Sequence, residues 1–178
     1  SLAGVVRAHL GAKQAGIPLL VGARLDVRDG TSLLAYPHDR AAYGRLSQLI
    51  TLGRCRAPKG ECELYRADIL EYGVGMVLIM VPPDNPNKVF EQELATLREA
   101  FPDEIYLAAN HLLRGDDDQR LAYLNTAAAR CAVPLVATND VHMHVASRRP
   151  LLDVLTCIRE KCTVDTAGYR IAMNGERR

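Results

Sequence analysis

The chain has 178 residues, of which 48% are hydrophobic and 24% are charged, and its formal net charge is +1. This near-neutral balance gives no support for a strongly nucleic-acid-binding surface. No apolar run approaches the roughly 20 residues of a membrane span, and no signal peptide is visible, so a membrane partner is not expected.

The five cysteines also bear on location. Their number is odd, and no Cys-x-x-Cys pair occurs. In a chain of this length, such usage indicates free thiols in a reducing compartment rather than a disulfide framework. The predicted location is therefore the cytoplasm.

Hydrophobic periodicity and turn residues predict a single α/β domain over residues 1–178. In chain order, we predict a helix over 2–15, a strand over 18–27, a strand over 32–36, a helix capped by Asp39 and running to about 54, a helix over 66–72, a strand over 76–81, a helix over 87–100, a strand over 105–109, a helix from the aspartates at 116–118 to 131, a strand over 135–138 and a helix over 147–161. The first two strands are joined by turn residues and should form a hairpin. The later alternation of strand and helix indicates a largely parallel sheet with covering helices.

The order of these elements suggests a missing beginning. The chain opens on a helix that leads into a strand, whereas a sheet built of right-handed crossovers usually has a strand before it. A closed (β/α) barrel also typically needs about 250 residues. We therefore expect a piece of a longer protein that lacks at least one strand–helix unit at its amino end and a closing element at its carboxyl end.

The most informative stretch follows the last predicted strand. Asp140, His142 and His144 are spaced two apart after the apolar residues 135–138. On an extended chain, residues i, i+2 and i+4 share one face. A carboxylate and one or two imidazoles on one face are either metal ligands or a general acid/base pair.

A further histidine follows another predicted strand. His111 comes just after residues 105–109, and parallel strands would bring it to the same sheet edge as Asp140 and His142. The aspartates at 116–118 invite a metal interpretation too. The simpler interpretation is a helix amino terminus, where carboxylates accept unpaired amide protons.

Four motifs in this order carry a resemblance to a known family. They are Ala109-Asn110-His111-Leu112, Gly115-Asp116-Asp117-Asp118-Gln119-Arg120-Leu121, Val136-Ala137-Thr138-Asn139-Asp140-Val141-His142 and Leu152-Asp153-Val154-Leu155-Thr156-Cys157-Ile158-Arg159. The chain resembles the polymerase-and-histidinol-phosphatase (PHP) domain of bacterial C-family DNA polymerases. Residues 1–9 and 33–37 are most similar to the error-prone, damage-induced branch of that family.

The resemblance implies an incomplete, distorted (β/α) barrel of the PHP type, near the amino end of a much larger polymerase. In active members the domain binds a cluster of metal ions and hydrolyses phosphoesters. His111, Asp140 and His142 match family ligands, so the resemblance implies a remnant site for zinc, manganese or magnesium. The family's Gly-x-Glu motif aligns with Gly22-Ala23-Arg24, and the histidine expected around 30–32 is absent.

The arginine at position 24 prompts a sharper hypothesis. A metal cluster needs anionic ligands to offset its charge, and a permanent cation in place of one removes attraction and adds repulsion. We predict that the Arg24 guanidinium occupies the space of a metal ion and pairs with Asp140. The remaining carboxylate would then be compensated without an ion.

Three functions follow from these observations. The first is a degenerate, non-catalytic structural and interaction domain of an error-prone DNA polymerase, which acts in translesion synthesis during DNA repair. The second is an active metal-dependent phosphoesterase or 3′–5′ proofreading exonuclease. The third is a free-standing phosphatase resembling histidinol phosphatase. The first implies as partners the rest of the polymerase chain, DNA through that polymerase, and other damage-response polymerase subunits.

Overall fold

A computed structural model describes residues 2–172, 174, 175 and 177. In these residues, helices and strands follow one another in the predicted order. The helices are α1 (Val5–Ala15), α2 (Arg40–Arg56), α3 (Arg66–Tyr72), α4 (Lys88–Ala100), α5 (Asp117–Cys131) and α6 (Arg149–Glu160). The strands are β1 (Ala23–Leu25), β2 (Leu33–Pro37), β3 (Met76–Met80), β4 (Ile105–Ala109) and β5 (Leu135–Ala137). The α/β class is therefore confirmed.

The five strands form one mixed sheet in the order β1-β2-β3-β4-β5. β1 and β2 form the predicted hairpin, and β2 and β3 are also antiparallel, whereas β3 and β4 are parallel. Between β4 and β5, Leu107 donates its N–H to Pro134 and Thr138 donates to Ala109. The bonded positions advance together along both strands, which is the parallel pattern. Over the described residues the sheet is open, with β1 and β5 at its edges.

The first strand is much shorter than predicted, and a proline in its partner strand explains where it begins. The prediction of a strand over 18–27 was wrong outside Ala23–Leu25. In the observed register Ala23 faces Ala35, so Val21 would face Pro37. Proline has no N–H to donate to a sheet ladder. The hairpin therefore stops there.

Two helices, α2 and α4, begin directly after a residue whose side chain caps them. The Asp39 carboxylate accepts the Ala42 N–H at 2.7 Å, which confirms it as the cap of α2. The Asn87 side chain accepts the N–H groups of Val89 and Phe90, so α4 begins one residue later than predicted. These side chains satisfy amides that have no partner within the helix.

The chain divides into two compact units, one comprising residues 1–108 and 127–136 and the other 109–126 and 137–178. In the first unit, buried side chains from the strands and from α2 and α4 form the core, among them Leu33, Leu78, Leu107, Leu46 and Leu94. α1 contributes no buried residue to it.

The second unit contains α6 and three short 3₁₀ helices, at Ala146–Arg148, Val164–Thr166 and Gly168–Arg170. Its buried apolar side chains are fewer and smaller, and are Leu112, Leu124, Met143, Cys157 and Ala167. α6 was predicted over 147–161. It begins later because 146–148 form a tighter 3₁₀ turn, and Pro150 then lies in its first turn, as predicted.

Two further predictions bear on cellular context. All five cysteines are free thiols, as the sequence predicts. Among the described residues, none of the helices has both the length and the apolar character needed to cross a membrane.

Candidate functional site

The loops that follow β4 and β5 leave the sheet side by side. The Ala109 carbonyl accepts the Thr138 N–H at 2.8 Å, which joins the carboxyl ends of the two strands. His111 and Asp140 each lie two residues beyond that bond. The carboxyl ends of parallel strands are where α/β proteins place ligands. Both positions are therefore in the segments where a site is expected.

Asp140 is part-buried and ion-paired. Its carboxylate lies 3.3 Å from Nε2 of His142 and also accepts a bond from the Arg177 guanidinium. The backbone carbonyl of Arg177 accepts the N–H groups of His142 and Met143 at 2.9 and 3.1 Å. A guanidinium bonded to a part-buried carboxylate offsets its charge and fixes its orientation. The Asp140 charge is therefore compensated by the protein itself.

The strand geometry predicted for this stretch was wrong, although Asp140 and His142 do meet. β5 ends at Ala137, and Asp140 has a φ of 44°, in the left-handed region. Asparagine and aspartate tolerate that region better than other non-glycine residues. A turn, not a strand face, brings the two side chains together.

His111 lies on an exposed loop whose backbone is held by Asp117. The carboxylate of Asp117 accepts the N–H groups of Leu112, Arg114 and Gly115 at 2.9, 2.6 and 3.4 Å. Burial by itself raises the pKa of Asp117, but these three bonds and the nearby His111 outweigh it, so the pKa is lowered. Asp117 is thus a structural anion.

The role predicted for the aspartates at 116–118 needs one correction. Asp117 and Asp118 do lie in the first turn of α5. However, Asp117 bonds the loop that precedes the helix rather than the free amides of the helix itself. The Asn174 side chain supports the same loop by donating to the carbonyls of Leu112 and Leu113.

Arg24 belongs to the first unit, on β1. Its Nε donates to Oδ1 of Asp26 at 2.9 Å, and the Ser32 hydroxyl donates to the same oxygen at 2.7 Å. Burial raises the pKa of Asp26, but the bonds from Ser32 and Arg24 outweigh it and lower that pKa. Arg24 lies on β1 and Asp26 follows directly after the strand, and the two side chains are bonded across this two-residue spacing. The pairing of Arg24 with Asp140 stays a prediction.

Sequence reasoning missed three of these partners. Asp26 could have been found from the same two-residue spacing that pointed to Asp140 and His142. Ser32 follows from the hairpin register, since Leu25 faces Leu33. Arg177 lies 37 residues from Asp140, and no local pattern links them.

Among the residues that the structure describes, no group of three or more His, Cys, Asp or Glu side chains is arranged to hold a metal ion. His111 and His142 instead border different grooves, the first with Asp117 and Asp118, the second with Met143 and His144. The described residues therefore do not fit a preassembled three-ligand metal centre. A remnant site at His111, Asp140 and His142 stays a prediction.

Comparison with known proteins decides the relationship. No family model matches the chain. Curated relatives do: the error-prone DNA polymerase of Caulobacter vibrioides is 46% identical over 178 residues, error-prone DNA polymerase 1 of Agrobacterium fabrum is 42% identical over 177, and the error-prone DNA polymerase of Bradyrhizobium diazoefficiens is 43% identical over 189. Each match includes 99% of this chain. The chain corresponds to one segment of the error-prone DNA polymerases.

The similarity extends over only a small part of each relative. The chain spans only 16% of each of these polymerases. The similarity confirms the error-prone polymerase branch inferred from the motifs.

Proposed function

We propose that this chain is a PHP-type domain of an error-prone DNA polymerase and that it serves as a non-catalytic structural and interaction domain. The similarity to polymerases of that name over 99% of the chain supports the first part. In this proposal the open sheet belongs to an incomplete, distorted (β/α) barrel. The whole polymerase copies damaged DNA in the cytoplasm during repair, and the domain's partners are the rest of that chain and other damage-response polymerase subunits.

The observation that carries the non-catalytic assignment is the placement of cations beside the candidate carboxylates. Arg24 stands where the family motif has a glutamate, and it bonds Asp26. Arg177 bonds Asp140. A site for divalent ions needs uncompensated anionic ligands, because each ion brings two positive charges. Guanidinium groups already supply that charge, and metal binding would have to displace them.

Phosphoester hydrolysis by a metal-dependent domain uses ions to polarise the phosphoryl oxygen and to generate a hydroxide nucleophile. Of the three predicted ligands, Asp140 and His142 lie close together, at 3.3 Å, and the His111 imidazole borders a separate groove. An acid/base pair without such polarisation is a weak catalyst for a phosphodiester. The active phosphoesterase and the proofreading exonuclease are therefore the less favoured functions.

The test is a hydrolysis assay on the full polymerase that contains this chain. Magnesium, manganese and zinc are titrated separately with bis(p-nitrophenyl) phosphate and with 3′-labelled single-stranded DNA as substrates. We expect no metal-dependent turnover above that of an Asp140→Asn variant, while nucleotide incorporation on a primed template proceeds in both. Turnover that requires metal and is lost in Asp140→Asn would overturn the non-catalytic assignment.

The same protein preparation and its gene also test the third function, a free-standing phosphatase. A free-standing phosphatase would hydrolyse a small phosphomonoester such as histidinol phosphate, and its gene would encode no polymerase chain. We expect the gene to continue into a polymerase and the monoester to remain intact. A short open reading frame with monoesterase activity would refute the polymerase assignment.

A further inference from the structure

The helix α6 is amphipathic, and its apolar side is the one turned to solvent. Its inward side packs on the short 3₁₀ helices of the second unit and buries Thr156 and Cys157. Its outward side carries an apolar stripe, which consists of Leu151, Val154, Leu155 and Ile158 and is 50%, 45%, 55% and 69% exposed. These positions are i, i+3, i+4 and i+7, which lie on one face of a helix. An amphipathic helix normally turns its apolar face to a core, so an apolar face left exposed is typical of a surface that packs against a partner.

The stripe continues into a shallow groove. Its walls include Met143, which is buried, together with Leu152 and the side chains of His142 and His144. Single exposed apolar residues are ordinary, but a contiguous apolar patch with a polar rim marks an interaction surface. Arg148 lines the groove and places a cation at that rim, whereas Arg159 beside the stripe is ion-paired with Glu160 at 3.1 Å.

The size of the patch indicates the kind of partner. Four half-exposed aliphatic side chains present on the order of 200 Å² of apolar surface. Stable association of separate copies usually buries roughly 1,200 Å² or more in total, so this stripe is small for a dimer. A tethered partner has an effective concentration near the millimolar range, which lets a small patch suffice.

We propose that the apolar stripe of α6 is the docking surface for another segment of the same error-prone polymerase chain. The inference rests on the proposed function, since it takes the chain to be one domain of a longer polypeptide. The relatives support such a partner, because this chain spans only 16% of their length. The complementary surface is an apolar ridge with an acidic side chain beside it, which would meet Arg148 at the rim.

The test is site-specific photo-crosslinking in the full polymerase. The unnatural residue is introduced as Ile158→p-benzoylphenylalanine, and the control is Val89→p-benzoylphenylalanine. Val89 is also 69% exposed, but its helix neighbours at i+3 and i+4 are Gln92 and Glu93. We expect position 158 to crosslink within one molecule to a residue outside the 178-residue segment, with at least tenfold greater yield than position 89.

Other outcomes overturn the inference. Crosslinks between two copies, with a yield that rises with protein concentration, would assign the stripe to a dimer. A yield no greater than that of position 89 would leave it an ordinary surface. If the gene does not encode a polymerase chain that extends beyond these 178 residues, the proposed function fails. If it does and the crosslink is missing, only the docking surface fails.

A second measurement guards against misfolding. Leu155→Glu places a charge on the stripe, and Leu155→Met keeps it apolar. We expect the charged variant to increase limited proteolysis of the full polymerase at the junctions of this domain about tenfold, and Leu155→Met to leave it unchanged. Equal cleavage of both variants, with unaltered circular dichroism, would contradict docking.

Discussion

The loop between β1 and β2 and the loop between β4 and α5 are anchored by the same chemistry at different ranges. In the hairpin loop, the Thr31 N–H and hydroxyl both donate to Glu93 at 2.7 Å, across 62 residues of sequence. In the second loop, Asp117 accepts backbone N–H groups from residues no more than five positions away. Both Glu93 and Asp117 are buried.

The comparison shows which side chains determine the loop shapes. In each loop a buried helix carboxylate satisfies the backbone. The predicted ligand His111 and the predicted metal-replacing Arg24 take no part in that bonding. Arg24 and His111 are both exposed. Exposed side chains of this kind can change without loss of the loop conformation. A glutamate-to-arginine change at position 24 is therefore compatible with an intact fold.

The largest expected effect is that of Asp117→Ala. Three backbone N–H groups lose their acceptor, and each buried unsatisfied donor costs about 1–3 kcal/mol. Water can reach part of the loop, so we expect the free energy of unfolding to fall by about 3 kcal/mol. Urea denaturation followed by circular dichroism measures this. The control is Asp118→Ala, an exposed residue of the same helical turn, with a loss below about 1 kcal/mol. Equal losses would refute the anchor.

A somewhat smaller effect is expected for Glu93→Ala. The variant removes both partners of Thr31, but that residue is only half-buried, so water replaces part of the bonding. We expect a loss of about 2 kcal/mol in the same denaturation assay. Glu99→Ala, on the exposed side of α4, is the matched control and should be close to neutral. If the losses of unfolding free energy in Thr31→Val and Glu93→Ala simply added in the double variant, the Thr31 and Glu93 side chains would not interact.

A third prediction concerns pH. The pKa of Asp117 is lowered in the folded state, so the folded protein binds its proton less readily than the unfolded chain does. Its contribution to stability is fully present above the pKa of the unfolded chain, about 4, and is lost as the pH falls through the folded pKa. We expect the stability advantage of wild type over Asp117→Asn to shrink below about pH 4. An advantage that is constant with pH would contradict a bound carboxylate.

Much of the fold could be predicted because its signals are local. Asp39 caps α2 as predicted, and the strand Ile105–Ala109 follows from a short apolar run. The start of β1 could not be predicted from its own residues, since it depends on Pro37 in the partner strand. Strand length is a property of the pair.

In the candidate site, too, contacts between sequence neighbours could be predicted and contacts between distant residues could not. The meeting of Asp140 and His142 follows from their proximity in sequence, although a turn and not a strand produces it. The bond from Arg177 to Asp140 joins segments 37 residues apart, and no periodicity encodes it. Charge compensation is therefore the feature that sequence reasoning predicts least well, because any distant cation can supply it.

The smallest expected effect on stability is that of Arg24→Gln. Arg24 and Asp26 are both exposed, and exposed ion pairs contribute at most about 1 kcal/mol. The informative readout is the pKa of Asp26, followed by NMR titration. Without the guanidinium, we expect that pKa to rise towards its ordinary value, and only in part, since the Ser32 bond persists. Arg28→Gln, in the same hairpin but facing Glu61, should leave it unchanged. If both variants shift it equally, a general field acts on Asp26, and the specific role of Arg24 as its counter-charge is wrong.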